Sequence, residues 1–137
     1  MGRWMRVASD PLTICDTGHN VAGITYNLKQ LESIMSNKRV LWPNAQLYFL
    51  LGFVSDKDVD HILPLFPKDA TYYITQASIP RAMPAELLAE KCRTHGLNVK
   101  GPYASVKEAY TAVSKTAVDI DVIYIGGSTF IVADFLA

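Results

Sequence analysis

Cysteine is scarce. The chain has two, Cys15 and Cys92, too few for a disulfide scaffold and not at the spacing of a metal site. Both suit a reducing compartment. There is no surplus of either charge: 13 Lys+Arg balance 13 Asp+Glu, and the pI is near 6.8. A nucleic-acid binder carries a basic excess, so a nucleic-acid partner is not expected. Long apolar runs are absent as well. The longest, Leu47 to Val54, is interrupted by Gly52 and is far short of the ~20 residues a membrane-spanning helix needs. The N-terminal MGRWMR lacks the apolar core of a signal peptide, and Arg6 stands where a myristoylation signal requires Ser or Thr. The cytoplasm is the expected location, with no membrane partner. Three chemical fingerprints are also missing. No G-x-x-x-x-G-K-[ST] cradles a triphosphate, no G-x-G-x-x-G marks a dinucleotide site, and no G-x-S-x-G forms a hydrolase elbow.

What remains is a globular composition. The chain has 137 residues, 50% hydrophobic and 19% charged, which is the size and make-up of one domain. Such a chain buries about two-thirds of its unfolded surface and needs no staples. Strand and helix signals alternate along it. Arg6–Ala8 and Leu12–Cys15 read as short strands around an Asp10-Pro11 turn. Val21, Ile24, Leu28, Leu31 and Met35 recur at spacings of three and four, predicting a helix from about Asn20 to Ser36. Leu47–Leu51 is a continuous apolar run ending at Gly52, as expected of a strand buried on both faces. Ser55 and Asp58 resemble a capping arrangement for a short helix burying Val59, Ile62 and Leu63, which Pro64 and Pro67 should stop early.

Further on, Thr71–Thr75 is β-branched and aromatic, hence a strand. Pro84–His95 reads as a helix with Pro84 in its first turn and Gly96 at its stop. A short strand is expected at Asn98–Lys100, then a helix to about Thr116 with a Ser105/Glu108 capping box. Val122–Ile125 is another buried strand, closed by Gly126-Gly127-Ser128 before a last helix, Thr129–Leu136. This alternation predicts a three-layer, Rossmann-like α/β domain, with a mainly parallel sheet and helices on both faces. Ligands of such sheets sit beyond the carboxyl ends of the strands. The loops after Cys15, Leu51 and Ile125 are therefore the ones expected to matter.

The densest polar cluster, Asp16-Thr17-Gly18-His19-Asn20, stands at a strand-to-helix junction. The free N–H groups there suit an anion. Asp16 could serve a ribose hydroxyl or a metal-bound water, and His19 a carboxylate or phosphate. Equally, Asp16 or Asn20 only caps the helix and His19 is a solvated loop residue. Gly126-Gly127-Ser128 is a junction of the same kind, read from spacing as a tight turn with Ser128 as N-cap. Gly52 with Ser55, Asp56, Lys57 and Asp58 is a third, whose charges read as a solvated first turn. His61 and His95 are expected at the surface and Cys15 as an inert core thiol. Trp4 and Trp42 are read as packing residues.

Four segments in order carry a resemblance. Gly2-Arg3 precedes a strand pair and Asp16-x-x-His19-Asn20. Gly52-x-x-x-Asp56-Lys57-Asp58 follows, then Pro80-Arg81-Ala82 with Pro84-Ala85-Glu86-x-Leu88-Ala89, and finally Gly127-Ser128-x-x-x-Val132-Ala133. Together they resemble the C-terminal domain of folylpolyglutamate synthase/dihydrofolate synthase, of the Mur ligase superfamily, over essentially the whole chain. That family's second motif is D-G-A-H-N-P. Here its middle residues are Thr17 and Gly18, and Val21 replaces the proline.

The resemblance implies the C-terminal third of a larger enzyme, cut at Gly2 with Met1 as an added start. The N-terminal ATPase domain of the same polypeptide would hold the phosphate cradle and the Mg ligands. ATP would phosphorylate a folate or pteroate carboxylate, and L-glutamate would attack the acyl phosphate. Arg3 would contact the nucleotide phosphates, Asp16 the ribose or adenine side of ATP, and His19 the incoming glutamate, with Ser128 near that pocket. Lys57 and Arg81 carry only the segment resemblance. The isolated chain is expected to fold without turning over ATP. The rival readings are the C-terminal domain of a Mur-type peptidoglycan-precursor ligase and a non-catalytic α/β nucleotide- or partner-binding module.

Overall fold

In a computed structural model, the chain is described for residues 4–18 and 20–137; the expectations for Arg3 and His19 lie outside the described residues. Six strands form one sheet in the order β1-β2-β6-β3-β4-β5. They are β1 Trp4–Ser9, β2 Leu12–Asp16, β3 Leu47–Leu51, β4 Thr71–Ile74, β5 Asn98–Lys100 and β6 Val122–Gly126. β2, β6, β3, β4 and β5 run parallel. β1 is the antiparallel edge, with Trp4 opposite Asp16 and a bulge between Arg6 and Ala8. The helices are α1 Val21–Leu41, α2 Val59–Ile62, α3 Ala85–Thr94, α4 Val106–Thr116 and α5 Thr129–Leu136, with a 3₁₀ turn Leu63–Leu65 after α2. The predicted three-layer α/β fold with a mainly parallel sheet is the one found.

The layering follows from strand periodicity. Along β3, Leu47, Phe49 and Leu51 enter one core with Ile24, Leu31 and Met35 of α1, Val59 and Ile62 of α2 and Leu88 of α3. Tyr48 and Leu50 enter the other, with Val106, Ala109 and Val113 of α4 and Ile131 and Val132 of α5. A strand covered on both faces must be apolar at every position, which is why LYFLL does not alternate. Phe49 anchors the first core, stacked on Tyr72 at 4.7 Å between ring centroids and edge-on to Phe66 at 5.4 Å. Each such buried large side chain contributes about 1.5–3 kcal/mol relative to exposure.

Several expectations are corrected. Helix α1 runs on to Leu41, because its last turn is tied down: Lys38 Nζ donates to the Ile120 carbonyl at 3.2 Å and Arg39 Nε to that of Ala45 at 3.0 Å. The buried stripe includes Asn27, while Val21 at the helix start is half exposed. Asp58 sits at the N-cap of α2 but makes no side-chain cap; its carboxylate meets His61 Nδ1 at 2.5 Å, and Ser55 is not a cap. Pro84 is the N-cap of α3 rather than part of its first turn, and it has no side-chain acceptor to offer. Gln76 Oε1 supplies one, taking the Ala85 N–H at 2.8 Å. Trp42 packs only in part: it is nearly half exposed, with Lys38 Nζ 5.6 Å from its ring centroid. His95 finds a partner from afar, its Nε2 lying 3.1 Å from Asp60 Oδ1, with Lys91 Nζ 3.0 Å from Oδ2. These two neighbours hold the Asp60 carboxyl below its ordinary range and join α2 to α3. Among the described residues, no helix is long and apolar enough to cross a membrane.

Candidate active site

The three junctions singled out in the sequence meet at one place. β2, β6 and β3 are neighbours and parallel, with Cys15 and Leu50 both level with Ile125, and Leu51 level with Gly126. Their carboxyl ends therefore lie side by side, where open α/β sheets bind ligands. The loops interlock through backbone. Gly52 N–H donates to the Gly126 carbonyl at 3.3 Å. A Cβ on Gly126 would stand 2.9 Å from the Asp16 carbonyl oxygen. A Cβ on Gly127, whose φ is +100°, would stand 2.3 Å from that of Gly52. Glycine is required at Gly127 both for its left-handed φ and for this contact.

Asp16 is the best-held polar residue of the site. Its carboxylate is completely buried. Oδ1 accepts from the Gly18 N–H at 2.8 Å and from Asn27 Nδ2 at 2.9 Å, and Oδ2 accepts from the Tyr124 hydroxyl. Burial, followed by the adjoining Asp16 charge and hydrogen bond, pushes the Tyr124 hydroxyl well above its ordinary range, so it stays protonated as the donor. The sequence expectation of direct contact between this carboxylate and ATP finds no exposed oxygen here, because three internal donors occupy it. Asn20 caps α1, its Oδ1 taking the Gly23 N–H at 2.7 Å. Ser128 caps α5, its Oγ taking the Ile131 N–H at 3.3 Å, and is almost fully buried. Its own O–H remains able to donate. The two caps place two helix N-termini at the same sheet edge.

The third junction is held open differently. Ser55 N–H donates to the Arg81 carbonyl at 2.7 Å and Met83 N–H to that of Phe53 at 2.8 Å, with Val54 and Ala82 paired between them. The loop after β3 is thus zipped to the one after β4. The exposed Arg81 guanidinium stands 5.8 Å from the Phe130 ring on α5. Asp134 of α5 pins the same region, accepting from Ser78 N at 2.7 Å and Ser78 Oγ at 2.9 Å. Sequence reading missed Asn27, Tyr124 and Asp134. For the first two a signal existed: a polar residue on the buried stripe of α1, and a phenol inside an otherwise aliphatic strand.

The cysteines stand apart from this chemistry. Burial pushes the Cys15 thiol up to about 11 and the Cys92 thiol up to about 12. Thiolate is the reactive form. Native protein is therefore expected to give no reaction with a thiol-disulfide reagent at pH 8, and two thiols per chain after unfolding in guanidinium. A titre of one in the native state would contradict the burial of Cys15 or Cys92. Among the described residues, no group of three or more His, Cys, Asp or Glu could hold a metal ion.

Comparison with known proteins gives the family. The chain is 26% identical over 137 residues to the dihydrofolate synthase/folylpolyglutamate synthase of Buchnera aphidicola subsp. Schizaphis graminum, covering 99% of this chain and 30% of that protein. The ligand-free bifunctional folylpolyglutamate synthase/dihydrofolate synthase of Yersinia pestis superposes with a TM-score of 0.80 at 25% identity, over 98% of this chain and 30% of that one. E. coli FolC in complex with DHPP and ADP gives 0.76 at 26%, with the same coverage. The chain thus spans about 30% of the length of the relatives it matches. The family model for the Mur ligase, glutamate ligase domain, matches residues 2–129, and this chain belongs to that family.

Proposed function

We propose that this domain is the C-terminal, glutamate-ligase part of an ATP-dependent carboxylate–amine ligase that adds L-glutamate to a folate or dihydropteroate. The observation that carries the reading is the meeting of three loops at the carboxyl edge of the sheet. They bring the Asp16–Gly18 and Gly126–Ser128 segments together in a chain whose relatives are folylpolyglutamate and dihydrofolate synthases. The substrate carboxylate would attack the γ-phosphorus of ATP, releasing ADP and leaving an acyl phosphate. The glutamate amine would then add to the acyl carbon, lose a proton and expel phosphate to give the amide.

In this reading the phosphate cradle belongs to an N-terminal ATPase domain of the same polypeptide. ATP and a divalent ion, Mg, bind there, and no step through the ion is assigned to this chain. Arg3 would place a fixed positive charge by the transferring phosphate. His19 and Ser128 would orient the glutamate. The burial of Asp16 makes its part indirect: it holds the loop rather than touching the nucleotide.

The test is an assay of the complete polypeptide with ATP and labelled glutamate. Dihydropteroate or tetrahydrofolate is expected to accept the label and a UDP-muramoyl precursor to be refused, while the domain alone turns over no ATP. Transfer to the UDP-muramoyl acceptor instead, or turnover by the domain alone, would overturn the reading.

A further inference from the structure

We infer that Asn27 and Tyr124 are positioning residues for the ligase site, acting through the Asp16 carboxylate on the loop that joins β2 to α1. The inference rests on the proposed function only for the reaction it affects; the device itself is in the geometry. One carboxylate is shared by three elements. The Asp16–Gly18 turn closes on Oδ1 from its own loop, Asn27 reaches the same oxygen from inside α1, and Tyr124 reaches Oδ2 from β6. The fit is tight, since a Cβ on Gly18 would lie 3.0 Å from Oδ1 and 3.3 Å from Asn27 Nδ2.

β6 also pairs with β2 along the main chain, Ile14 level with Tyr124 and Cys15 with Ile125, so this strand contacts the β2 end by side chain and main chain together. The Asp16–Gly18 turn is therefore tied to the strand that delivers Gly127 and Ser128, and the two segments are set relative to each other by one buried knot. A buried carboxylate with several well-formed donors holds a single geometry, because any other leaves an oxygen unsatisfied. Tyr124 and Asn27 reach no open surface, being almost fully buried, so any effect on substrate must pass through the loop.

A positioning role and a nucleotide-binding role for Asp16 separate in kinetics. The complete polypeptide is compared with its Tyr124→Phe and Asn27→Ser variants, each shown by a thermal melt to be folded at the assay temperature. Cys92→Ala, a core change on α3, controls for general destabilisation. Both knot variants are expected to raise KM for glutamate about tenfold or more and to leave KM for ATP within about twofold. Hydrogen exchange in the peptide spanning residues 16–24 is expected to quicken about tenfold in both and to stay unchanged in the control. Unchanged exchange and an unchanged KM for glutamate would overturn the inference, as would a rise confined to KM for ATP. If the parent polypeptide itself transfers no glutamate, the proposed function falls while the exchange measurement still decides the knot.

Discussion

Gly127→Ala is expected to be severely damaging, lowering stability by about 3–5 kcal/mol. Two independent costs add. At a φ of +100°, an L side chain is strained whatever the surrounding space, at roughly 1–2 kcal/mol. The new Cβ would also stand 2.3 Å from the Gly52 carbonyl oxygen, a backbone atom that cannot swing aside. Relief requires moving the end of β3 away from the end of β6, which breaks the Gly52–Gly126 hydrogen bond. For a domain of this size the melting temperature should fall by roughly 10 °C or more. By contrast, Gly96→Ala meets nothing nearer than 3.6 Å and bears only the φ cost. Calorimetry of the two variants checks the comparison. Equal losses would mean that the contact with Gly52 is not as drawn.

Arg3→Ala in the complete polypeptide is expected to lower kcat by roughly 100- to 1,000-fold, the usual loss when a charge-stabilising donor is removed from a developing transition state. The melting temperature should stay within about 2 °C, the usual bound for a change that removes no core packing. Arg3→Lys is expected to restore only part of the rate, since an ammonium replaces the charge but not the forked geometry. The measurement is single-turnover formation of the acyl phosphate alongside steady-state glutamate transfer. Wild-type kinetics in Arg3→Ala would remove the residue from the site.

The extent of legibility in the sequence can be seen residue by residue. Strands β3 and β5 and helix α5 fall where periodicity and glycine stops place them. Ser105 caps α4 by accepting the Glu108 N–H at 3.1 Å, as its spacing predicts. Ser128 and Asn20 cap likewise. Each of these signals is complete within a few residues, so tertiary packing has only to agree with it. Several of the expectations that failed have a remote partner. The α3 cap comes from Gln76, outside the helix. α1 outlasts its predicted end because Lys38 is held by a carbonyl 82 residues away. Ser55 lost its capping role because its loop is zipped to the segment around Arg81.

The same division governs the site. By itself the sequence determined the fold class, the three junctions and the family resemblance, since apolar period, turn residues and motif order are local properties of the chain. Only the tertiary structure decided that the junctions of β2, β3 and β6 meet, because β6 enters the sheet between two strands made much earlier. It also decided the fate of Asp16. From its neighbours that carboxylate could face a ligand or cap a helix. In the fold it is buried and accepts from Tyr124, 108 residues on, and from Asn27 on the inner face of α1. There an unsatisfied oxygen would cost more than the loop gains by exposing it.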